Sequence, residues 1–304
     1  MIEGQEGVTW EHWVALASAC EEHGVEALFR SDHYISGSDE QRPALDAWTT
    51  IAGLAARTTK LQLGTLVSPA TFRHPSALAR AAATADEISA GRVTLGIGAG
   101  WMEREHEAYG FEFGDGFPER LRWLGEALPI MRGMLRGERP TASGPRYRAR
   151  AARNAPPPLQ ERLPLLVGGG GEQVTLKLVA KYADANNVGG GIAKVRQKEA
   201  VLLRHCETVG RDPAEIERTA SLGVLVILMA VKSRRGILGL GDQARDVGRR
   251  VIVTPESQRR QSSRPFDPYY SGVPYKPARH LRWRAGRASR CSSRRSTCPT
   301  ERPG

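Results

Sequence analysis

LQLGTLVSPATFRHPSALARAAATADEISAGRVTLGIGAGWMEREH, residues 61–106, reads as a strand, a helix and a second strand, with a polar or glycine-bearing turn closing each strand. Two parallel strands joined by a helix form a crossover unit, and such crossovers are right-handed almost without exception. In α/β folds ligands gather at the carboxyl ends of the strands. SPATFRH and GAGWMEREH therefore belong to one rim, and an active site is expected there.

The alternation extends in both directions. Thr9 caps a first helix with Trp13, Leu16, Ala17 and Cys20 at helical spacing, ended by Gly24. Residues 25–29 form a short strand, followed by the polar loop RSDHYISGSDEQRP and a helix with Leu45, Trp48, Ile51, Ala52 and Ala55 on one face. Pro75 opens the helix of the quoted stretch at a position that tolerates proline, and Gly91 ends it. A helix at about 119–136 buries Leu121, Leu124, Leu128 and Leu135, and Pro129 is expected to kink it. Residues 137–163 read as a surface loop. Strands at 165–167 and 183–188 both run into glycines, with a helix between them through Lys181. A helix marked by Val195, Leu202, Leu203, Cys206 and Val209 closes at Gly210, and a last strand is expected at 222–228. Six strands alternating with helices give an α/β fold with a parallel sheet, and the number of units favours an eight-fold (β/α)8 TIM barrel over an open sheet. MIEGQ reads as the stub of a preceding strand.

Bulk properties narrow the class. The chain has 304 residues, 40% of them hydrophobic, and no apolar run nears the roughly 18–20 residues a membrane span needs. The acidic start lacks the basic and apolar regions of a signal peptide. The four cysteines (Cys20, Cys206, Cys291, Cys298) form no CxxC and the seven histidines no HExxH. A disulfide framework and a metal site are therefore poor readings, and the chain reads as cytoplasmic. The net charge of +11 divides unevenly, with −2 on residues 1–229 and +13 on residues 230–304. The basic character belongs to the tail and says nothing about partners of the body.

Four turns carry candidate chemistry. RSDHY places Asp32 and His33 on the rim after a strand. Imidazole titrates near neutral pH, and a neighbouring carboxylate can hold its tautomer. The competing reading is a loop pair that caps the next element. GIGAGW, with Gly98, Ala99, Gly100 and Trp101, lets a flat ring or a phosphate approach the backbone. It lacks GxGxxG spacing, so a plain tight turn competes evenly, and a methyltransferase reading would rest on this motif alone. VGGGGEQ, with Gly168, Gly169, Gly170 and Gly171, offers backbone N–H groups beside the positive end of a helix, a phosphate cradle that needs no basic side chain. In SPATFRHP, His74 reads as a helix-capping or packing residue, and Trp48 and Trp101 read as core more readily than as ring-stacking partners.

Taken in order, GQEGVTWEHW, LFRSDHY, LGTLVSPATFRHPSALAR, ADEISAGRVTLGIGAGWMEREHEAYGF and LLVGGGGEQVTLKLVAKYADANN resemble the luciferase-like family of flavin- and deazaflavin-dependent oxidoreductases, over about residues 2–228. The likeness is closest to the branch that uses the deazaflavin coenzyme F-420, while relatives use reduced FMN. It implies a (β/α)8 barrel with the cofactor in the rim cavity, a small organic substrate and a homodimer. His33 then matches the histidine that acts in proton transfer. Leu66 and Val67 match an end-of-strand bulge, often a non-proline cis peptide, that backs the ring. Gly98, Ala99, Gly100 and Trp101 match the loop along the cofactor, and Gly168, Gly169, Gly170 and Gly171 the phosphate loop. Some deazaflavin relatives carry Glu at the position of Trp101, so no acid role carries over there. The family's usual Trp-Asn pair is Asn186-Asn187 here, leaving Asn187 as the match. The implied reaction is hydride transfer between deazaflavin and an organic substrate, or monooxygenation if FMN is used.

Two departures bear on this. The first strand of such a barrel survives only as MIEGQ, and the last strand and helix are not recognisable after Leu228. Both shortfalls fall on one seam, which would leave unpaired edges. Residues 230–304, rich in Arg, Ser and Pro, read as a disordered tail and as an out-of-frame stretch behind a domain spanning 1–229, with the start placed late. A rival reading makes the tail a nucleic-acid-binding arm, using Arg for phosphates and Tyr269, Tyr270 and Trp283 for stacking. A further alternative is a non-catalytic relic of the family.

Overall fold

The computed structural model describes residues 1–222. Its elements run α1 (Trp10–Glu22), β1 (Ala27–Arg30), α2 (Ala47–Ala55), β2 (Gln62–Thr65), β3 (Ser68–Pro69), α3 (Pro75–Ser89), β4 (Val93–Gly98), α4 (Glu103–Tyr109) and α5 (Phe117–Leu135). These are followed by β5 (Ala142–Ser143), β6 (Arg148–Ala149), β7 (Leu165–Gly168), α6 (Thr175–Tyr182), β8 (Ala185–Gly189), α7 (Ile192–Val209) and β9 (Glu217–Ser221).

The sheet is parallel, in the order β1-β2-β4-β7-β8-β9, with β3 beside β4. Each new strand joins the edge left by the last. An open doubly wound sheet reverses its order partway, whereas a barrel adds strands in one direction. Ile2 extends the other edge: it bridges Arg30 in parallel, with Ile2 N donating to Phe29 O at 2.9 Å and Ile2 O accepting from Ser31 N at 3.1 Å. MIEGQ thus contributes the strand stub that its position suggested.

Helix starts follow local chemistry. The Thr9 hydroxyl accepts from His12 N while the His12 ring accepts from Thr9 N, closing the first turn of α1 in both directions. Asp46 caps α2 by accepting from Thr49 N at 2.8 Å. His74 caps α3, accepting from Ser76 N ahead of Pro75, and the helix ends in left-handed Ala90 (φ 59°) followed by Gly91 (φ 84°). β4 is buried along all six residues, as expected for a strand covered on both faces. Leu95 and Ile97 of β4 and Leu124 and Leu128 of α5 are fully buried in the hydrophobic core. Each contributes about 1.5–3 kcal/mol by burial, and truncating one to Ala costs about 2–5 kcal/mol.

Four elements were not foreseen. α4 (EREHEAY) buries only Glu105 and His106, so it shows no apolar stripe. β5 and β6 form a two-residue hairpin inside the stretch read as loop, and β3 is equally short. The strand after α7 starts at Glu217, ahead of the apolar run at 222–228; its sequence ERTAS pairs with β8 in parallel and has no buried residue to mark it. Pro129 lies inside α5 as expected. The rest of the strand expected at 222–228, the boundary at 229, and residues 230–304 with their disordered, out-of-frame and nucleic-acid-binding readings lie outside the described residues.

Candidate functional site

The carboxyl ends of β1, β2, β4, β7 and β8 bring most of the expected residues to one rim. At the end of β1, Arg30 is buried and spent on structure: it donates to Thr50 Oγ1 (2.8 Å), Leu45 O (2.8 Å) and Ser31 O (3.0 Å), and lies over the Trp13 ring. Asp32 is also fully buried. Its Oδ2 accepts from Ser68 Oγ and from Arg73 Nη1, both at 2.6 Å, and Ser68 Oγ accepts from Trp48 Nε1 at 3.0 Å. Arg73 reaches on to Asp46 and to the Tyr34 hydroxyl. Asp32 therefore ties the end of β1 to β3 and to the start of α3. Trp48 is core, as read from the sequence.

His33 turns the other way. The carboxylate on its ring is Glu105, with Nδ1 2.8 Å from Oε2, and not the adjacent Asp32. The cause is competition for charge: Asp32 is drawn to Arg73, and α4 supplies the carboxylate left for the imidazole. Glu105 is fully buried. Its Oε1 accepts from Tyr34 N and, at 3.0 Å, from Ile35 N. The His33 side chain is 11% exposed. Burial alone pushes its pKa down, but the hydrogen bond and charge of Glu105, with Glu3 and Asp32 behind it, outweigh burial and hold the ring above the ordinary value of 6.5. Trp101, partly exposed, stands edge-on to His33 with ring centroids 5.4 Å apart.

The peptide bond between Leu66 and Val67 is cis, at the position matched to the family's bulge. Val67 explains several glycines of the neighbouring strands. A Cβ on Gly98 would come within 2.8 Å of Val67 Cγ2, and one on Gly168 within 2.9 Å of Val67 Cγ1. One on Gly96 would collide with Thr65 O. Gly96 and Gly98 thus admit β2 and Val67, an internal requirement that the reading of GIGAGW as open backbone did not include. Gly100 has φ 86°, and a Cβ there would meet Thr71 Oγ1 at 2.9 Å. Ala99 is buried beside them.

At the end of β7, Gly169 has φ 113° and donates to Asn187 O at 2.9 Å. The nearest atoms to where a Cβ on Gly170 would sit are those of the Lys198 stem, at 3.4–3.5 Å. Lys198 Nζ donates to Glu172 Oε1 at 2.8 Å. A basic side chain therefore overlies the glycine loop, although the loop was read as needing none. α7 also sets Lys194 against Gly190. Asn186 donates to Val167 O (2.8 Å) and Gly169 O (3.2 Å), fixing the base of the loop. Asn187, the residue matched to the family, spends its amide on β9, donating to Thr219 Oγ1 and accepting from Ser221 Oγ, both at 2.8 Å.

His74 caps α3 and stands edge-on to Tyr147, a packing role as expected. A cavity of about 400 Å³, lined by Arg73, His74, Phe111, Arg146 and Tyr147 among others, lies beside the rim; neither His33 nor the glycine loop lines it. His106, not singled out from sequence, is buried between Thr71 Oγ1 (2.6 Å) and Met102 O (2.7 Å). Among the described residues no group of three or more His, Cys, Asp or Glu could hold a metal ion, and no helix is long and apolar enough to cross a membrane.

Residues 2–227 match the luciferase-like monooxygenase family. An F-420-dependent glucose-6-phosphate dehydrogenase of Mycolicibacterium gilvum is 33% identical over 218 residues, covering 69% of this chain and 63% of that enzyme. An F-420-dependent hydroxymycolic acid dehydrogenase of Mycobacterium tuberculosis is 30% identical over 219 residues, covering 70% and 58%. In both cases the match spans less than two thirds of the relative's length. Among solved structures, an F-420-dependent secondary alcohol dehydrogenase bound to an F-420–acetone adduct superposes with TM-score 0.64 at 20% identity, covering 72% of this chain and 68% of that one. The F-420-dependent tetrahydromethanopterin reductase of Methanopyrus kandleri gives 0.61 at 22% identity, covering 72% and 64%. These likenesses place the sheet in the barrel class that the strand order indicates.

Proposed function

This chain belongs to the luciferase-like monooxygenase family, a family of oxidoreductases, and from that premise we propose that it uses coenzyme F-420 to move a hydride to or from a small organic substrate at the rim described above. The observation that carries the proposal is His33: a nearly enclosed imidazole held by a buried carboxylate and flanked by Trp101, on the same parallel sheet as a strand that ends in a glycine loop.

The residues present suit the cofactor. The Lys198 stem that packs on Gly170 is flexible and can make way for an anionic tail while keeping its ammonium beside it, and nothing stands within 4 Å of a Cβ on Gly189. Gly168, Gly169, Gly170 and Gly171 with Lys198 would hold the phosphate. Leu66 and Val67 would back the ring, Gly98, Ala99, Gly100 and Trp101 would run along it, and Asn187 would brace β8 behind it. The deazaflavin, when bound, supplies the hydride chemistry. The protein's part is to orient the ring, exclude water with Trp101, and give or take a proton at His33. Asp32, matched beside that histidine, acts through Arg73 and Ser68 on the position of the loop and does not itself exchange the proton.

A parallel titration of the purified chain with F-420 and with FMN, followed by deazaflavin and flavin fluorescence, tests the reading. F-420 binding is expected. Binding of FMN alone moves the assignment to the monooxygenase side of the family, and binding of neither favours the relic. His33→Asn should bind F-420 yet turn over about 10²–10⁴-fold more slowly, the usual span for losing a general acid or base.

A further inference from the structure

We propose that Glu105 is a positioning residue that fixes the tautomer of His33, so that only Nε2 of that ring gains or loses a proton. The inference rests on the reading of His33 as the proton-transfer group, but it can be measured without cofactor or substrate.

The two oxygens of Glu105 have different work. Oε1 takes two backbone donors, Tyr34 N and Ile35 N, while Oε2 faces His33 Nδ1 at 2.8 Å. A carboxylate can only accept. The hydrogen between Oε2 and the ring therefore sits on Nδ1, whether the imidazole is neutral or charged. Among the described residues Nε2 has no hydrogen-bond partner, which leaves it as the nitrogen that titrates. The same segment grips the loop a second time: Arg104 Nη2 donates to Ser36 O at 2.7 Å and Nη1 pairs with Glu40 at 3.0 Å. α4 thus holds residues 33–36 from one side, while Glu6 and Arg73 hold Ser36 and the Tyr34 hydroxyl from others. The charged groups around the ring are Glu105 and His106 from α4, Glu3 from the N-terminal segment and Asp32 from its own loop.

Glu105→Gln separates tautomer control from packing. To keep both backbone donors the amide must leave its oxygen at the Oε1 position, because the reversed amide would set N–H against N–H. Its NH2 group then faces His33 and can only donate. Nδ1 must accept, and the ring proton moves to Nε2. The substitution preserves shape and all three contacts while inverting one hydrogen bond.

The experiment is ¹⁵N-histidine NMR of the full chain, wild type and Glu105→Gln, across pH, with urea denaturation of both. The expected result is Nδ1–H as the neutral tautomer of His33 in the wild type, Nε2–H in Glu105→Gln, a lower His33 titration midpoint in the variant, and similar folding midpoints. A folded variant that keeps Nδ1–H overturns the proposal. If the variant does not fold, the wild-type spectrum still decides: a dominant Nε2–H form there overturns it. Where turnover can be measured, the variant should lose on the order of 10²–10⁴-fold, as expected when a base is held in the wrong tautomer. A tautomer switch in a protein that binds neither F-420 nor FMN supports the positioning role and removes only the cofactor assignment.

Discussion

Arg73 Nη1 lies 2.6 Å from Asp32 Oδ2, across 41 residues of chain, and Nη2 of the same guanidinium lies 2.6 Å from Asp46 Oδ2. One cation therefore joins the end of β1, the cap of α2 and the entrance to α3. The Asp32 side chain is 1% exposed, so water cannot replace Arg73 there.

Arg73→Ala should destabilise the protein by about 3–5 kcal/mol, the usual penalty for stranding a buried charge. Asp32 would carry most of it, since Asp46 is 38% exposed and can be solvated. Urea denaturation of the variant measures the loss, and a change under about 1 kcal/mol, the value of an ordinary surface pair, would contradict the picture.

Gly96→Ala and Gly170→Ala should part company. A Cβ on Gly96 has to displace the Thr65 carbonyl, whereas the nearest atoms to one on Gly170 belong to the flexible stem of Lys198, at 3.4–3.5 Å. The first should cost about 1–3 kcal/mol or more through overpacking. The second should stay within about 0.5 kcal/mol of wild type and instead weaken F-420 binding. Paired melting curves and cofactor titrations would detect equal behaviour of the two, which would contradict the packing role given to Gly96.

The two buried histidines should respond to pH with opposite signs. His33 is held above 6.5, so its contribution to stability is complete below that value and fades as pH rises through the raised pKa. His106 is held below 6.5 because burial outweighs its bond to the Met102 carbonyl; its contribution is present above 6.5 and fades as pH falls through the lowered pKa. The stability deficit of His33→Gln should therefore shrink with rising pH, and that of His106→Gln with falling pH. Urea midpoints between about pH 5 and 8, the window where imidazole changes charge, give both slopes.

Asn186→Ala removes two donors from the base of the glycine loop, to Val167 O and Gly169 O. Leaving buried carbonyls unsatisfied costs about 1–3 kcal/mol. Hydrogen exchange at Gly169 and Gly170 should quicken, and the Kd for F-420 should rise. Unchanged exchange would show that the loop is held by other contacts.

Much of this was legible in the chain. Alternation of apolar stripes and β-runs placed α1, α3, α5 and α7 within a few residues, because burial imposes those periods locally. The rim turns were visible because their glycines and polar residues interrupt that pattern. α4 was not legible, since a helix that buries a glutamate and a histidine shows no apolar stripe. Glu105 stands 72 residues from His33, and nothing local to either marks the other.

The sequence by itself determined the parallel α/β scaffold, the family and the rim positions of His33 and the glycine turns, because periodicity and turn chemistry are local properties. Only the tertiary structure decided which carboxylate serves the histidine, which glycines make room for Val67, and which cation lies over the glycine loop. Those are contacts between strands and helices far apart in the chain, and charge pairing and steric fit choose among candidates only once the sheet has brought them together.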